Sequence, residues 1–258
     1  MTLTFETPET VDGARFREFT LTGSESGRDV TGVLWDSDQT EAGRPMVCFG
    51  HGASGHRHQA PIPRLAARLA REFGFFGLSL DGPVPGRRET GGGGRKAFGP
   101  EWRRPGTVRD MLADWRTAID AVQARPEVGQ GPLGYWGLSM GTIYGAPLVA
   151  AESRIEAAVL GLMGVVEEPE HYRAALLDAA DSITCPVLFI WQLEDELFSR
   201  AQCLALFDAI ASSDKRLHAN PGLHPHVPAE ELEHSVRFLA DVLLKRPRDQ
   251  GVLFNVSE

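Results

Sequence analysis

Short apolar runs alternate along this chain with longer stretches in which apolar residues recur every three or four positions, a rhythm that predicts strands and helices taking turns. Two polar-alternating segments, Phe16–Thr22 and Asp29–Trp35, read as an antiparallel hairpin at one edge of a sheet. Met46–Gly50 follows as a buried strand that ends in His51-Gly52. Arg64–Phe73 has helical spacing, and Phe75–Leu80 is the next strand. The clearest helix begins at Thr107, where Val108, Met111, Leu112, Trp115, Ile119 and Val122 share one face of a 3.6-residue period. Strands over Leu133–Leu138, Ala157–Leu162 and Pro186–Trp191 then alternate with helices over Met140–Ala151 and through Leu204, Phe207 and Ile210. A short strand near Arg216–Ala219 precedes a last helix from Pro228, with Glu230 and Glu231 in its first turn, where the helix dipole favours acids. The tail after Lys245 carries no strong pattern.

This order of elements implies an α/β protein with a mostly parallel central sheet and helices on both faces. No repeat or linker-like composition divides the chain, so residues 1–258 read as one domain. Residues 82–106 break the rhythm: they hold Gly91–Gly94, four prolines and several arginines but no periodic apolar face, and read as an irregular loop.

Composition narrows the class of partner. A hydrophobic fraction of 42% with 24% charged residues is ordinary for a globular protein. The net charge of -9 argues against a nucleic-acid-binding face, which needs a basic excess. Cys48, Cys185 and Cys203 are few, odd in number and widely spaced, which fits reduced thiols rather than a disulfide framework or a zinc site. No signal-peptide pattern opens the sequence and no apolar run approaches the roughly 20 residues of a membrane helix, so a cytoplasmic location without membrane contact is expected. His224-Pro225-His226, His56 and His58 lack an accompanying carboxylate or thiolate pattern, so no metal is expected.

The chemistry concentrates at Gly137-Leu138-Ser139-Met140-Gly141, a G-x-S-x-G sequence between a strand and a helix. Such a junction holds a serine on a tight turn, with its hydroxyl at the C-terminal edge of the sheet and the helix N-terminus beside developing negative charge. A serine needs a base to take its proton and an acid to orient that base, and in the strand–turn–helix arrangement the chain order is serine, acid, histidine. Asp195 lies just beyond the strand VLFIW, flanked by Glu194 and Glu196. His224 lies in the loop before the last helix, with His226 two residues on. The amide of Met140, directly after the serine, is one expected donor to an oxyanion.

GHGASG at 50–55, GLSMG at 137–141, PVLFIWQLEDELF at 186–198 and NPGLHPHVP at 220–228 together resemble the α/β-hydrolase superfamily, over about residues 16 to 245. Gln192 stands where that superfamily usually has the glycine of Gly-x-x-Asp, with Asp195 still in register. LDGPVPGRRE at 80–89 looks like a loop of dienelactone-hydrolase-like esterases. The resemblance implies a triad of Ser139, Asp195 and His224, with Ala53 of His51-Gly52-Ala53 as second backbone oxyanion donor, and no cofactor. It also implies no large cap domain, since too few residues separate the strand ending near Gly164 from Pro186.

The expected activity is therefore cleavage of a small or medium carboxylic ester through an acyl-enzyme, on a small-molecule acyl substrate. Amide, thioester or lactone hydrolysis are alternatives, as are a non-hydrolytic lyase or isomerase and a ligand-binding receptor on the same fold. The 82–106 loop is expected near the active-site entrance, where Arg87 and Arg88 could receive an anionic group. Trp102, Tyr144, Met163, Phe198 and His226 are the expected substrate-binding wall. A homo-oligomer is compatible with the sequence and not specified by it.

Overall fold

The computed structural model describes residues 1–84 and 94–246. Strands β1 (Thr2–Phe5), β2 (Glu9–Val11), β3 (Ala14–Thr22) and β4 (Val30–Asp36) come first. They lead into β5 (Met46–Gly50), α1 (Ile62–Phe73), β6 (Phe76–Leu80), α2 (Gly94–Trp102) and α3 (Thr107–Gln123). The remainder runs β7 (Leu133–Gly137), α4 (Met140–Ala151), β8 (Ile155–Gly161), α5 (Glu170–Ser182) and β9 (Val187–Gln192), then α6 (Arg200–Ala209), β10 (Lys215–Asn220) and α7 (Ala229–Leu243). Among the described residues one sheet of ten strands results, in the order β1-β3-β4-β6-β5-β7-β8-β9-β10, with β2 paired to β3. The strands from β6 to β10 are mutually parallel, and β4 joins β6 antiparallel.

Period-two alternation sorts the core onto two faces. In β5, Met46 and Cys48 join the cluster beneath α3, α4 and α5, whereas Val47 and Phe49 join the cluster beneath α1 and α7. The chain runs from β5 to β6 on one side and later to β7 on the other. Right-handed crossovers therefore place α1 on one face and α3 to α6 on the opposite one. The C-terminal ends of the parallel strands flank that reversal, and there the loops after β5, β7, β9 and β10 converge.

Three features depart from the sequence reading. The hairpin of β3 and β4 lies inside the sheet, because β1 pairs with β3 on its outer side and Phe5 packs edge-on against Phe19 with ring centroids 5.8 Å apart. The 165–183 connection carries α5, whose Tyr172, Leu176, Ala179 and Ala180 form a buried helical stripe. The 82–106 stretch is not irregular throughout: α2 occupies Gly94–Trp102 despite Pro100 inside it. Phe98 and Trp102, one turn apart, supply the small apolar face that docks this helix, with ring centroids 5.7 Å apart. Arg87 and Arg88, most of the 80–89 motif and the tail after Arg246 fall outside the described residues.

Candidate active site

Ser139 joins β7 to α4 with φ 59 and ψ -120, a backbone conformation that a residue with a side chain adopts only when its surroundings enforce it. Enforcement comes from close backbone packing. A Cβ on Gly137 would meet the Tyr135 hydroxyl at 2.7 Å, and one on Gly141 would meet the Gly50 carbonyl oxygen at 2.5 Å, so both flanks of the turn require glycine. The Ser139 N–H donates to the Gly161 carbonyl at 3.0 Å. The Thr142 hydroxyl donates toward the carbonyls of Gly137 at 2.9 Å and Gly161 at 2.7 Å, tying the elbow to the end of β8.

The loops after β9 and β10 bring two partners to this hydroxyl. His224 Nε2 lies 2.9 Å from Ser139 Oγ, and its Nδ1 lies 2.8 Å from Asp195 Oδ2. With the proton on Nδ1, the imidazole donates to the carboxylate and accepts from the serine, the tautomer a general base needs. The Asp195 side chain is 1% exposed, and its other oxygen accepts from the N–H groups of Leu197 at 2.8 Å and Phe198 at 3.1 Å. Its neighbours also reach the histidine loop. Glu194 accepts from the Gly222 N–H, and Glu196 accepts from the His224 N–H at 2.9 Å, a bond that holds the Glu196 carboxyl below the usual range. Gln192, fully buried at the end of β9, donates to the His226 carbonyl at 2.6 Å.

The loop after β5 closes the other side. Gly52 N–H donates to Gln59 Oε1 at 2.7 Å, and His51 bridges two strands' ends: Gly82 N–H donates to its Nε2 at 2.7 Å, and its Nδ1 bonds the Gly52 carbonyl at 2.8 Å. Burial pushes the His51 imidazole down to about 4, so it sits here neutral. The backbone N–H groups of Ala53 and Met140 form no hydrogen bond among the described residues. Both residues line the cavity that holds Ser139.

A cavity of about 600 Å³ opens over Ser139 and His224. Ala53, Trp102, Met163 and Phe198 line it, and so do Phe98, Ile143, Val166, Leu197 and Leu232, which the sequence reading did not single out. Phe98 and Ile143 are legible in the sequence only as core-type apolar residues; their place on the wall follows from the docking of α2 and from the start of α4 directly after Ser139.

No protein-family model matches the chain, and no curated protein does. Among solved structures, the PEG-bound complex of a cold-adapted esterase from an Arctic intertidal metagenomic library is 35% identical, with a TM-score of 0.83 over 94% of this chain and 100% of that one. The chain belongs to the esterases of α/β-hydrolase fold. An acetyl xylan esterase from Paenibacillus sp. R4, 19% identical with a TM-score of 0.72 over 94% of this chain and 88% of that one, shares the esterase fold. So does an esterase from Pyrococcus furiosus, 17% identical with a TM-score of 0.65 over 88% and 91% of the two chains.

Two of the expected wall residues of this esterase lie elsewhere. Tyr144 is 3% exposed behind the cavity, its hydroxyl 2.7 Å from that of Tyr172 and 3.2 Å from that of Thr107, and burial raises it to about 12. It is core, because position 144 faces α3 and α5 rather than the strand ends. His226 is exposed and is not among the residues that line the cavity, and Gln192 holds its carbonyl.

Proposed function

We propose that this enzyme hydrolyses carboxylic esters of small or medium size through an acyl-enzyme on Ser139. The observation that carries the reading is the hydrogen-bonded chain from Asp195 through His224 to the Ser139 hydroxyl, standing open to an apolar cavity. His224 takes the serine proton as Oγ attacks the ester carbonyl carbon. The carbonyl π pair moves to oxygen, and the amides of Ala53 and Met140, with the N-terminus of α4 behind the latter, receive the negative charge. Collapse breaks the bond to the alcohol oxygen, which leaves with the proton from His224 Nε2. Water then repeats the sequence on the acyl-enzyme, with His224 again the base and Asp195 holding the imidazolium throughout. No step draws on a cofactor. The three thiols are unpaired, with Cys48 and Cys203 buried, which supports work in a reducing compartment such as the cytoplasm.

Intact-mass spectrometry after a fluorophosphonate probe tests the reading. One phosphonyl adduct mapping to the peptide of Ser139 is expected, absent in Ser139→Ala, with kcat falling roughly 10⁶-fold in that variant on p-nitrophenyl esters. An unlabelled wild-type protein, or a Ser139→Ala variant of undiminished activity, would point to a receptor or a lyase instead.

A further inference from the structure

The cavity over Ser139 is divided by the sheet edge it sits on. Leu138 and Met140, on either side of the nucleophile, belong to opposite core clusters, and so do Leu162 and Met163 at the end of β8. Each strand end thus sends one apolar residue to each face, with Ser139 at the crest. Phe98, Ile143 and Met163 build a wing over the α3–α5 face, where the half-buried Trp102 and Val166 complete it. Ile62 and Leu162, with the half-buried Val227 and Leu232, build a second wing over the α1–α7 face.

Polar side chains on the wall are few, and one of them, the buried indole N–H of Trp136, is without a partner among the described residues. No Asp, Glu, Lys or Arg lines the cavity among the described residues. Outside Ser139 and His224 there are His51, Ser54, Gln59 and the single indole donors of Trp102 and Trp136; both His51 ring nitrogens are bonded, and Gln59 spends its carbonyl on Gly52 N–H and directs its amide at the Ser54 hydroxyl. A polyhydroxylated group placed in either wing would lose water and find almost nothing to replace it.

Resting on the ester-hydrolase reading above, we propose that the substrate is apolar on both sides of its scissile bond, the acyl chain in the Phe98–Val166 wing and the alcohol in the Ile62–Leu232 wing. The direction follows from proton transfer. The leaving oxygen must sit against His224 Nε2, and Val227 from that histidine's own loop, with Leu232 from the helix it leads into, belongs to the second wing. An ester of an aliphatic acid with an aliphatic or aryl alcohol satisfies both wings, whereas an acetylated sugar satisfies neither.

Two substrate series test this: p-nitrophenyl esters from acetate to dodecanoate, and acetates of methanol, butanol, benzyl alcohol and methyl xyloside. The wild type is expected to gain about tenfold or more in kcat/KM from acetyl to hexanoyl, and to prefer benzyl acetate over the acetylated xyloside by roughly 100-fold. Filling each half-buried wing separately, Val166→Trp should cut the hexanoyl-to-acetyl ratio by about tenfold without moving the benzyl-to-methyl alcohol ratio, and Leu232→Trp should do the reverse. Ratios taken within one variant are insensitive to any fraction that fails to fold. An acetylated xyloside turned over as well as benzyl acetate overturns the proposal, as does either substitution moving the other ratio. Absence of turnover on every ester by a protein that still folds would instead sink the ester-hydrolase reading beneath it.

Discussion

At the scale of single residues, three consecutive acids divide one task. Glu194, Asp195 and Glu196 were equal candidates by charge alone, and all three touch the histidine loop: the outer two take backbone N–H groups of Gly222 and His224, and the middle one takes the imidazole. Only Asp195 is sealed from water, with two amides on its second oxygen, so in the proposed mechanism only its charge would act at low dielectric on the imidazolium. Asp195→Asn, which leaves the wrong tautomer facing the serine, should lower kcat about 10⁴-fold. Glu196→Gln keeps an acceptor for the His224 amide and should stay within about threefold of wild type. Glu196→Ala loses that acceptor and should fall roughly three- to tenfold in kcat with little change in KM. Steady-state kinetics on one p-nitrophenyl ester separates these, and a Glu196→Gln enzyme as damaged as Asp195→Asn would show that the charge had been placed on the wrong acid.

At the scale of elements, α2 is the piece most dependent on a few contacts. It docks through Trp102, stacked on Tyr172 of α5 with centroids 4.2 Å apart and planes 17° apart, and through Phe98 against Tyr144 of α4. Stacked rings add about 1 kcal/mol beyond the area they bury. Trp102→Ala should therefore cost about 2 kcal/mol and lower Tm by roughly 5 °C, with Trp102→Phe recovering most of the loss. A calorimetric Tm for Trp102→Ala within a degree of wild type would mean that α2 is held by something else. The same helix shows what the sequence could and could not say. Strands such as Met46–Gly50, and α3 with its six-residue stripe, announce themselves through periodicity because whole faces are buried. Among its described side chains α2 buries Phe98 and half-buries Trp102, and it carries a proline and glycines, so its helicity comes from neighbours supplied by distant segments. That Ser139, His224 and Asp195 would meet was legible because the motifs that resemble the superfamily fix residue type and chain order. The cavity wall was legible only in part: Trp102, Met163 and Phe198 line it, but Tyr144 and Ile143 are adjacent apolar residues on one helix, and only the packing of α4 decides which of them faces the cavity and which meets Tyr172.

At the scale of the whole molecule, β6 and β5 are the first two strands of the parallel run, and His51 fastens their C-terminal ends by accepting from the Gly82 N–H and donating to the Gly52 carbonyl. The bond from Gly82 requires the neutral ring, since only an unprotonated Nε2 accepts, whereas Nδ1–H donates to the Gly52 carbonyl in either state. Burial holds the folded imidazole at about 4 against 6.5 for an unperturbed one, so between those values the unfolded chain binds a proton that the folded chain refuses. Stability from this group is whole above pH 6.5 and is lost as pH falls toward 4, by about 2 kcal/mol between pH 7 and pH 5. Carboxylates such as Glu18, Glu101 and Glu152, held low beside their arginine partners, give up their contributions only as pH drops below their unfolded range near 4.5, outside this window. His234, also lowered by burial, acts in the same direction as His51, so the informative quantity is a difference between proteins. His51→Gln offers an uncharged donor and acceptor in place of the ring. Its denaturant-unfolding free energy, measured from pH 5 to pH 8, should fall with acid by about 2 kcal/mol less than that of wild type, whatever its absolute stability. Parallel curves for the two proteins would mean that the buried imidazole takes up a proton without breaking the link between Gly52 and Gly82.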